Sequence, residues 1–135
     1  MALVNNVVNT DVTALFGTYA REGLTTSAID GYIASAFTHV KNMLTSLHGV
    51  DPDTITEADS DRFKLAIVYK CLELIFEDLR VDEAGGSDRW SERQDDYEAK
   101  FVAAWDALQY GIDTDADDVE DTILKNGGTL NVSRS

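Results

Sequence analysis

Apolar residues recur every three or four positions along most of the chain, which is the period of an amphipathic α-helix. A short first helix is predicted from Asp11 to about Ala20, with Thr10 as its N-cap and Asp11 in the first turn, where the helix dipole favours an anion. Its apolar positions are Val12, Leu15, Phe16 and Tyr19. The spacing therefore predicts a helical protein from the first element onward.

A longer second helix is predicted to begin near Thr25 or Thr26. Gly49 and Pro52 should end it, because proline cannot donate a backbone hydrogen bond and restricts the residue before it. Its apolar positions are Ile29, Ile33, Ala36, Phe37, Val40, Leu44 and Leu47. Steps of three and four place them on one stripe, which predicts one buried side.

The third helix is predicted to begin after Thr56, where Thr56 and Asp59 resemble a capping box. Residues 63–79 are apolar almost all round, which is typical of a central helix contacted on several sides. A buried strand is the competing interpretation of such a run. The length of the run favours the helix.

A fourth helix is predicted after Ser87, a good N-cap. Its inner stripe consists of Trp90, Tyr97, Phe101, Ala104, Trp105 and Leu108. Acidic residues lie between these aromatic side chains, so core packing is favoured over a stacking face for nucleic-acid bases. Together the patterns predict an all-α fold: a small four-helix bundle, with a short first helix and three longer ones, over residues 1–110.

Residues 111–135 are predicted to form an acidic linker and an extended C-terminal arm. Residues 111–121 carry six acids and no base, whereas the last residues alternate polar and apolar side chains with the period of a strand. An arm of this kind adds a strand to a partner's sheet through main-chain hydrogen bonds. A frayed terminus is the alternative. The predicted partner-binding residues are Thr129, Leu130, Asn131, Val132, Ser133 and Arg134.

Charge narrows the classes of partner. The chain carries 25 acidic and 11 basic residues, for a net charge of −14. This balance argues against nucleic-acid binding through a basic surface and against anionic membranes. It favours docking on a basic partner, although a salt-rich habitat produces the same bias. No apolar stretch reaches the roughly 18 residues of a membrane span, and no secretory signal is recognised, so we expect a cytoplasmic protein.

No residue cluster predicts catalysis. Cys71 is the single cysteine and lies in an apolar run, so it is interpreted as a small buried hydrophobe. His39 and His48 belong to no nucleophile motif and are interpreted as ordinary helix histidines. Glu73 and Glu77 are one helical turn apart, but without an ExxH motif they are interpreted as part of a solvated face. We therefore expect no enzyme, no catalytic residue and no cofactor.

The acidic run contains one weak calcium candidate. Asp113, Asp115 and Asp117 stand at positions 1, 3 and 5 of a calcium-loop pattern. The glycine of position 6 is replaced by Asp118, and the glutamate of position 12 by Leu124. Because the loop is incomplete, a solvated acidic linker is the favoured interpretation.

Three stretches of the chain carry a resemblance to a known family. They are Thr26–Phe37, Asp61–Leu79 and Asp88–Trp105. Their order and spacing resemble the opening helix, the apolar central helix and the long last helix of the head–tail connector (adaptor) proteins of long-tailed bacteriophages and related particles. An aspartate-rich run follows the third stretch, as it does in the family.

The resemblance implies a structural virion protein at the head–tail junction, assembled in the host cytoplasm. It implies a homo-oligomeric, dodecameric ring beneath the portal protein, with a terminal arm that reaches the portal or a neighbouring copy. A stopper or tail-completion protein would bind the ring, and DNA would pass through a negative lumen without specific binding.

Two other functions stay open from sequence. An acidic cytoplasmic binding protein, such as a regulator or DNA mimic, would dock on a basic partner through the −14 surface. A helical-bundle metal enzyme built on the carboxylates is the least favoured.

Overall fold

The fold is a bundle of four helices, seen in a computed structural model that describes residues 3–16, 25–82, 88–112, 122–126 and 131–133. The helices are α1 (Asn9–Phe16), α2 (Thr26–His48), α3 (Lys64–Asp82) and α4 (Asp88–Asp106). The predicted all-α bundle, with one short and three longer helices, is confirmed.

The ends of α2 follow from its capping residues. The Thr25 hydroxyl oxygen accepts a 3.1 Å hydrogen bond from the Ala28 N–H. At the other end Gly49 is left-handed, with φ 63°, and the Val50 N–H donates to the Leu44 carbonyl. The Gly49 N–H donates to the Thr45 carbonyl at 3.2 Å, which is the bond of an αL cap, and glycine suits this position because it has no Cβ to clash at positive φ. Both predicted ends of α2 are confirmed.

The segment between α2 and α3 differs from the sequence prediction. It forms two 3-10 helices, Pro52–Thr54 and Glu57–Phe63, and the α-helical geometry begins only at Lys64. The Thr56 hydroxyl donates to the Asp59 carboxylate at 2.8 Å, and no side-chain bond caps the backbone from Thr56. The capping box is therefore not formed, because its two side chains bond to each other.

Helix α3 occupies the centre and packs against α1, α2 and α4. Its fully or nearly fully buried apolar side chains are Ala66, Ile67, Val68, Cys71, Leu72, Ile75 and Phe76. Helix α4 covers one side of α3 with a narrower stripe, in which Phe101 and Trp105 are buried. The predicted central position of the third helix is confirmed.

A small sheet follows α4. It is antiparallel, in the order β1-β2-β3, with β1 at Gln109–Ile112, β2 at Thr122–Lys125 and β3 at Asn131–Ser133. An isolated bridge between Ile55 and Ile112 ties β1 to the segment before α3.

The sheet differs from the linker and extended arm that were predicted for the C-terminal region. The domain boundary expected after residue 110 falls inside β1, and β3 pairs with β2 of the same chain instead of extending away from it. Pairing within the chain satisfies backbone groups that an extended arm would leave to water.

Candidate functional site

The C-terminal sheet is joined to the helical core by Tyr110. Its side chain is 1% exposed, and its ring centroid lies 4.9 Å from that of Phe63. The Tyr110 hydroxyl donates a 2.8 Å hydrogen bond to Asn126 Oδ1, and burial raises the pKa of Tyr110 to about 12. The hydroxyl therefore stays protonated and acts as a donor at neutral pH.

Asn126 carries an unpaired donor at the same place. The residue is 7% exposed, and its Nδ2 has no hydrogen-bond partner in the described part of the chain. No motif in the sequence marks the Tyr110–Asn126 pair, since the two residues are brought together only by the register of β1 and β2.

The predicted partner-binding arm is only partly described. Asn131, Val132 and Ser133 form β3, which is an edge strand of the described sheet. Thr129, Leu130 and Arg134 lie outside the described residues. Their proposed role in binding a partner stays a prediction.

The calcium candidates Asp113, Asp115 and Asp117 also lie outside the described residues. Within the described ranges, no group of three or more His, Cys, Asp or Glu side chains is placed to hold a metal ion. The calcium site therefore stays a prediction.

A buried ion pair lies inside the bundle. Lys70 Nζ is 3.1 Å from both carboxylate oxygens of Glu73, and the two residues are 9% and 8% exposed. The same ammonium group lies 4.9 Å from the centroid of the Phe101 ring on α4. The prediction that Glu73 belongs to a solvated face is wrong, because α3 is covered on several sides and Lys70 supplies the counter-charge.

The two histidines are both exposed residues of α2 that touch aromatic rings of α4. The His39 ring centroid is 6.2 Å from that of Phe101, and the His48 ring centroid is 5.6 Å from that of Trp105. Desolvation by partial burial lowers the pKa of His39, and the charge of Lys70 lowers it further.

Cys71 is fully buried, and burial raises the pKa of its thiol to about 12. A thiol in this state does not provide the thiolate that nucleophilic chemistry requires. The interpretation of Cys71 as a buried hydrophobe is confirmed.

The outer face of α4 carries several exposed acidic side chains. Its exposed acids are Glu92, Asp95, Asp96, Glu98 and Asp106. Arg93 and Lys100 share this helix, and Lys100 Nζ forms an ion pair with Asp96 at 3.3 Å. The face therefore keeps a net negative charge along the described length of the helix, and it opposes the approach of a polyanion.

None of the described helices is long and apolar enough to cross a membrane. Searches of the chain against models of protein families, curated proteins and solved structures found no match.

Proposed function

We propose that this chain is a head–tail adaptor, a structural virion protein that forms a ring under the portal and extends the DNA channel to the tail or stopper. The observation that carries the proposal is the order of the helices. The three stretches that resemble the adaptor family fall on α2, on the 3-10 helix with α3, and on α4. The apolar central stretch is also the helix that lies in the middle of the bundle.

The acidic face of α4 supports a position of the protein beside DNA without binding to the DNA. In a ring whose channel is lined by this face, carboxylates would repel the phosphate backbone and let the duplex slide. The net charge of −14 opposes self-association in solution, so ring formation would depend on the portal as a template.

The C-terminal sheet supplies a surface for protein contacts. Strand β3 lies at the edge of the described sheet, and an edge strand offers main-chain donors and acceptors to a partner's strand. In this proposal the residues at the end of the chain reach the portal protein or a neighbouring adaptor copy.

The first experiment is quantitative mass spectrometry of purified tailed particles from the culture that produces the chain. A copy number close to that of the portal protein is the expected result. Finding the chain only in the host lysate would remove the adaptor role. The alternative function, an acidic binding protein, would then be favoured. It predicts salt-sensitive binding to a basic enzyme of nucleic-acid metabolism.

A second experiment tests the channel. Asp95→Lys combined with Glu98→Lys reverses two exposed charges on α4 and should slow DNA ejection from assembled particles. Asp53→Lys combined with Glu57→Lys makes the same change in net charge at exposed positions away from α4. Ejection at the normal rate from both sets of particles would show that the α4 face does not line the channel.

A further inference from the structure

A groove lies between α1 and the beginning of α3. It has a volume of about 310 Å³ and is lined by Asp11, Leu15, Asp61, Lys64, Leu65 and Val68. Leu15 is 46% exposed and Leu65 is 53% exposed, so both leucines present apolar surface to solvent at the groove. The volume falls in the range of about 300–1,000 Å³ that is typical of binding clefts.

The backbone of the N-terminal segment is hydrogen-bonded to Asp11, which lines this groove, and to the residue next to Asp61. The Val8 N–H donates to Asp11 Oδ2 at 2.9 Å, and the Val4 N–H donates at 2.9 Å to Ser60, the residue before Asp61. Leu15 and Leu65, here called the α1–α3 patch, line the same groove and are two of the six large apolar side chains that are exposed in the described ranges. Exposed apolar side chains that gather at one place mark an interaction surface.

The charges at the groove indicate what it binds. Lys64 is the single basic residue among the described lining residues, and its Nζ lies 3.4 Å from Asp11 Oδ2. Asp61 accepts a 2.7 Å hydrogen bond from the neutral Asn6 amide, so its negative charge is not neutralised by that contact. The rim is therefore left with a net negative charge, on a chain of net charge −14.

We propose that the α1–α3 groove docks a protein segment that presents apolar side chains beside a lysine or arginine. The apolar side chains would cover Leu15 and Leu65, and the cation would pair with Asp61. A second copy of this acidic chain is disfavoured as the occupant by mutual repulsion, and nucleic acid and anionic lipid are disfavoured in the same way. The proposal rests on the groove alone, so it stands or falls separately from the adaptor role.

An NMR titration of the full chain tests the proposal. The probe is an amphipathic helical peptide of about 14 residues built from leucine and lysine, a length at which helices become stable enough to form. The expected result is a set of amide shift changes centred on Leu15, Lys64 and Leu65. A peptide with glutamate at every lysine position should leave these amides unchanged, because it has the same apolar face and the wrong charge.

Variants locate the binding. Leu15→Ala combined with Leu65→Ala should weaken the lysine peptide about tenfold, because two half-exposed leucines lose their apolar contact. Leu47→Ala combined with Val102→Ala is the matched control, since these side chains are 63% and 50% exposed outside the patch. The control should bind as the wild type does. Asp61→Asn keeps an acceptor for Asn6 and should lower both the affinity and its dependence on salt.

Several results would overturn the proposal. They are no binding at millimolar peptide, equal binding of the two peptides, shift changes centred on α4, or equal weakening by the two double variants. Shift changes at the groove that depend on protein concentration without peptide would make it an interface between copies instead. Circular dichroism of each variant tests whether a lower affinity is caused by unfolding. Because every substituted side chain is exposed, we expect each variant to keep the wild-type spectrum.

Discussion

Helices α3 and α4 have the same length, 19 residues each, and pack against each other, yet they are buried to very different extents. Helix α3 is covered on several sides, whereas α4 buries one stripe and exposes an acidic face. Each helix carries an ion pair between side chains one turn apart, Lys70–Glu73 on α3 and Lys100–Asp96 on α4. The comparison separates the effect of burial from the effect of helix length and pairing.

The two ion pairs should contribute to stability in different ways. The side chains of Lys100 and Asp96 are 47% and 50% exposed, so water screens their attraction. Those of Lys70 and Glu73 are only 11% and 10% exposed, so neither charge can be left without its partner. The buried pair therefore acts mainly as a constraint: the loss of one member is costly, whereas the loss of both is tolerated.

Glu73→Ala should give the largest effect. It leaves the Lys70 ammonium buried without a counter-charge, which costs about 3–5 kcal/mol of unfolding free energy. Urea denaturation followed by circular dichroism measures the change. Asp96→Ala is the matched variant on α4 and should cost less than about 1 kcal/mol. Equal losses for the two variants would remove the distinction between the helices.

A double variant sharpens the same point. Lys70→Met combined with Glu73→Leu removes both charges and keeps an apolar volume, so its stability should lie close to that of the wild type. A double variant as unstable as Glu73→Ala would mean that the pair itself, and not the unpaired charge, is what the fold requires.

Truncation of an apolar side chain should also reduce stability more on α3 than on α4. Leu72→Ala creates a cavity at a fully buried position of α3 and should cost about 2–5 kcal/mol. Val102→Ala removes methyl groups from a half-exposed position of α4 and should change stability by no more than about 0.5 kcal/mol. Urea titrations of both variants measure this contrast, and a large loss from Val102→Ala would show that α4 has no free face.

The Tyr110→Phe variant tests whether the C-terminal sheet unfolds together with the helices that pack around α3. The variant leaves Asn126 Oδ1 buried without its donor and should cost about 1–3 kcal/mol. Tyr32→Phe is the control, because the Tyr32 hydroxyl bonds to Asp78 at an exposed position, where water can replace it. An unchanged stability for Tyr110→Phe would mean that the sheet unfolds independently of the helices.

The smallest effect concerns His39, which touches Phe101 of α4 and is influenced by Lys70 of α3. The folded state lowers the pKa of His39 below 6.5, so the unfolded chain binds the proton more readily. Stability is therefore lost as the pH falls from above 6.5 to the folded-state pKa. Melting curves between about pH 5 and 7.5 measure this loss of stability. His39→Gln should lose less stability on acidification than the wild type does, whereas His48→Gln, which retains His39, should keep the contribution of His39. Identical profiles for His39→Gln and the wild type would contradict the assignment.

Local chemistry explains why some elements were predictable. The start of α2 depends on the Thr25 hydroxyl and its end on Gly49, and each of these bonds spans only a few residues. The first helix also has a local signal, but Asp11 accepts from the Val8 N–H, so α1 begins at Asn9, ahead of the predicted Asp11. Contacts within one turn are visible as spacing along the chain, which is why the ends of α2 were predicted closely.

Contacts between distant residues were not predictable. The carboxylate of Glu73 is four positions from that of Glu77, and spacing alone made a solvated face the simpler interpretation. Its burial depends on α2 and α4 closing over α3. Tyr110 and Asn126 are 16 residues apart, and only the register of the sheet brings them together.

The sequence by itself determined the helical class, the amphipathic stripes, the acidic balance and the limits of α2, because periodicity, capping and charge are properties of neighbouring residues. Tertiary structure alone decided which charges are enclosed, where the C-terminal strands pair, and that two exposed leucines line one groove. Those outcomes depend on how separate elements pack, and packing is set by the shape and burial of all of them together.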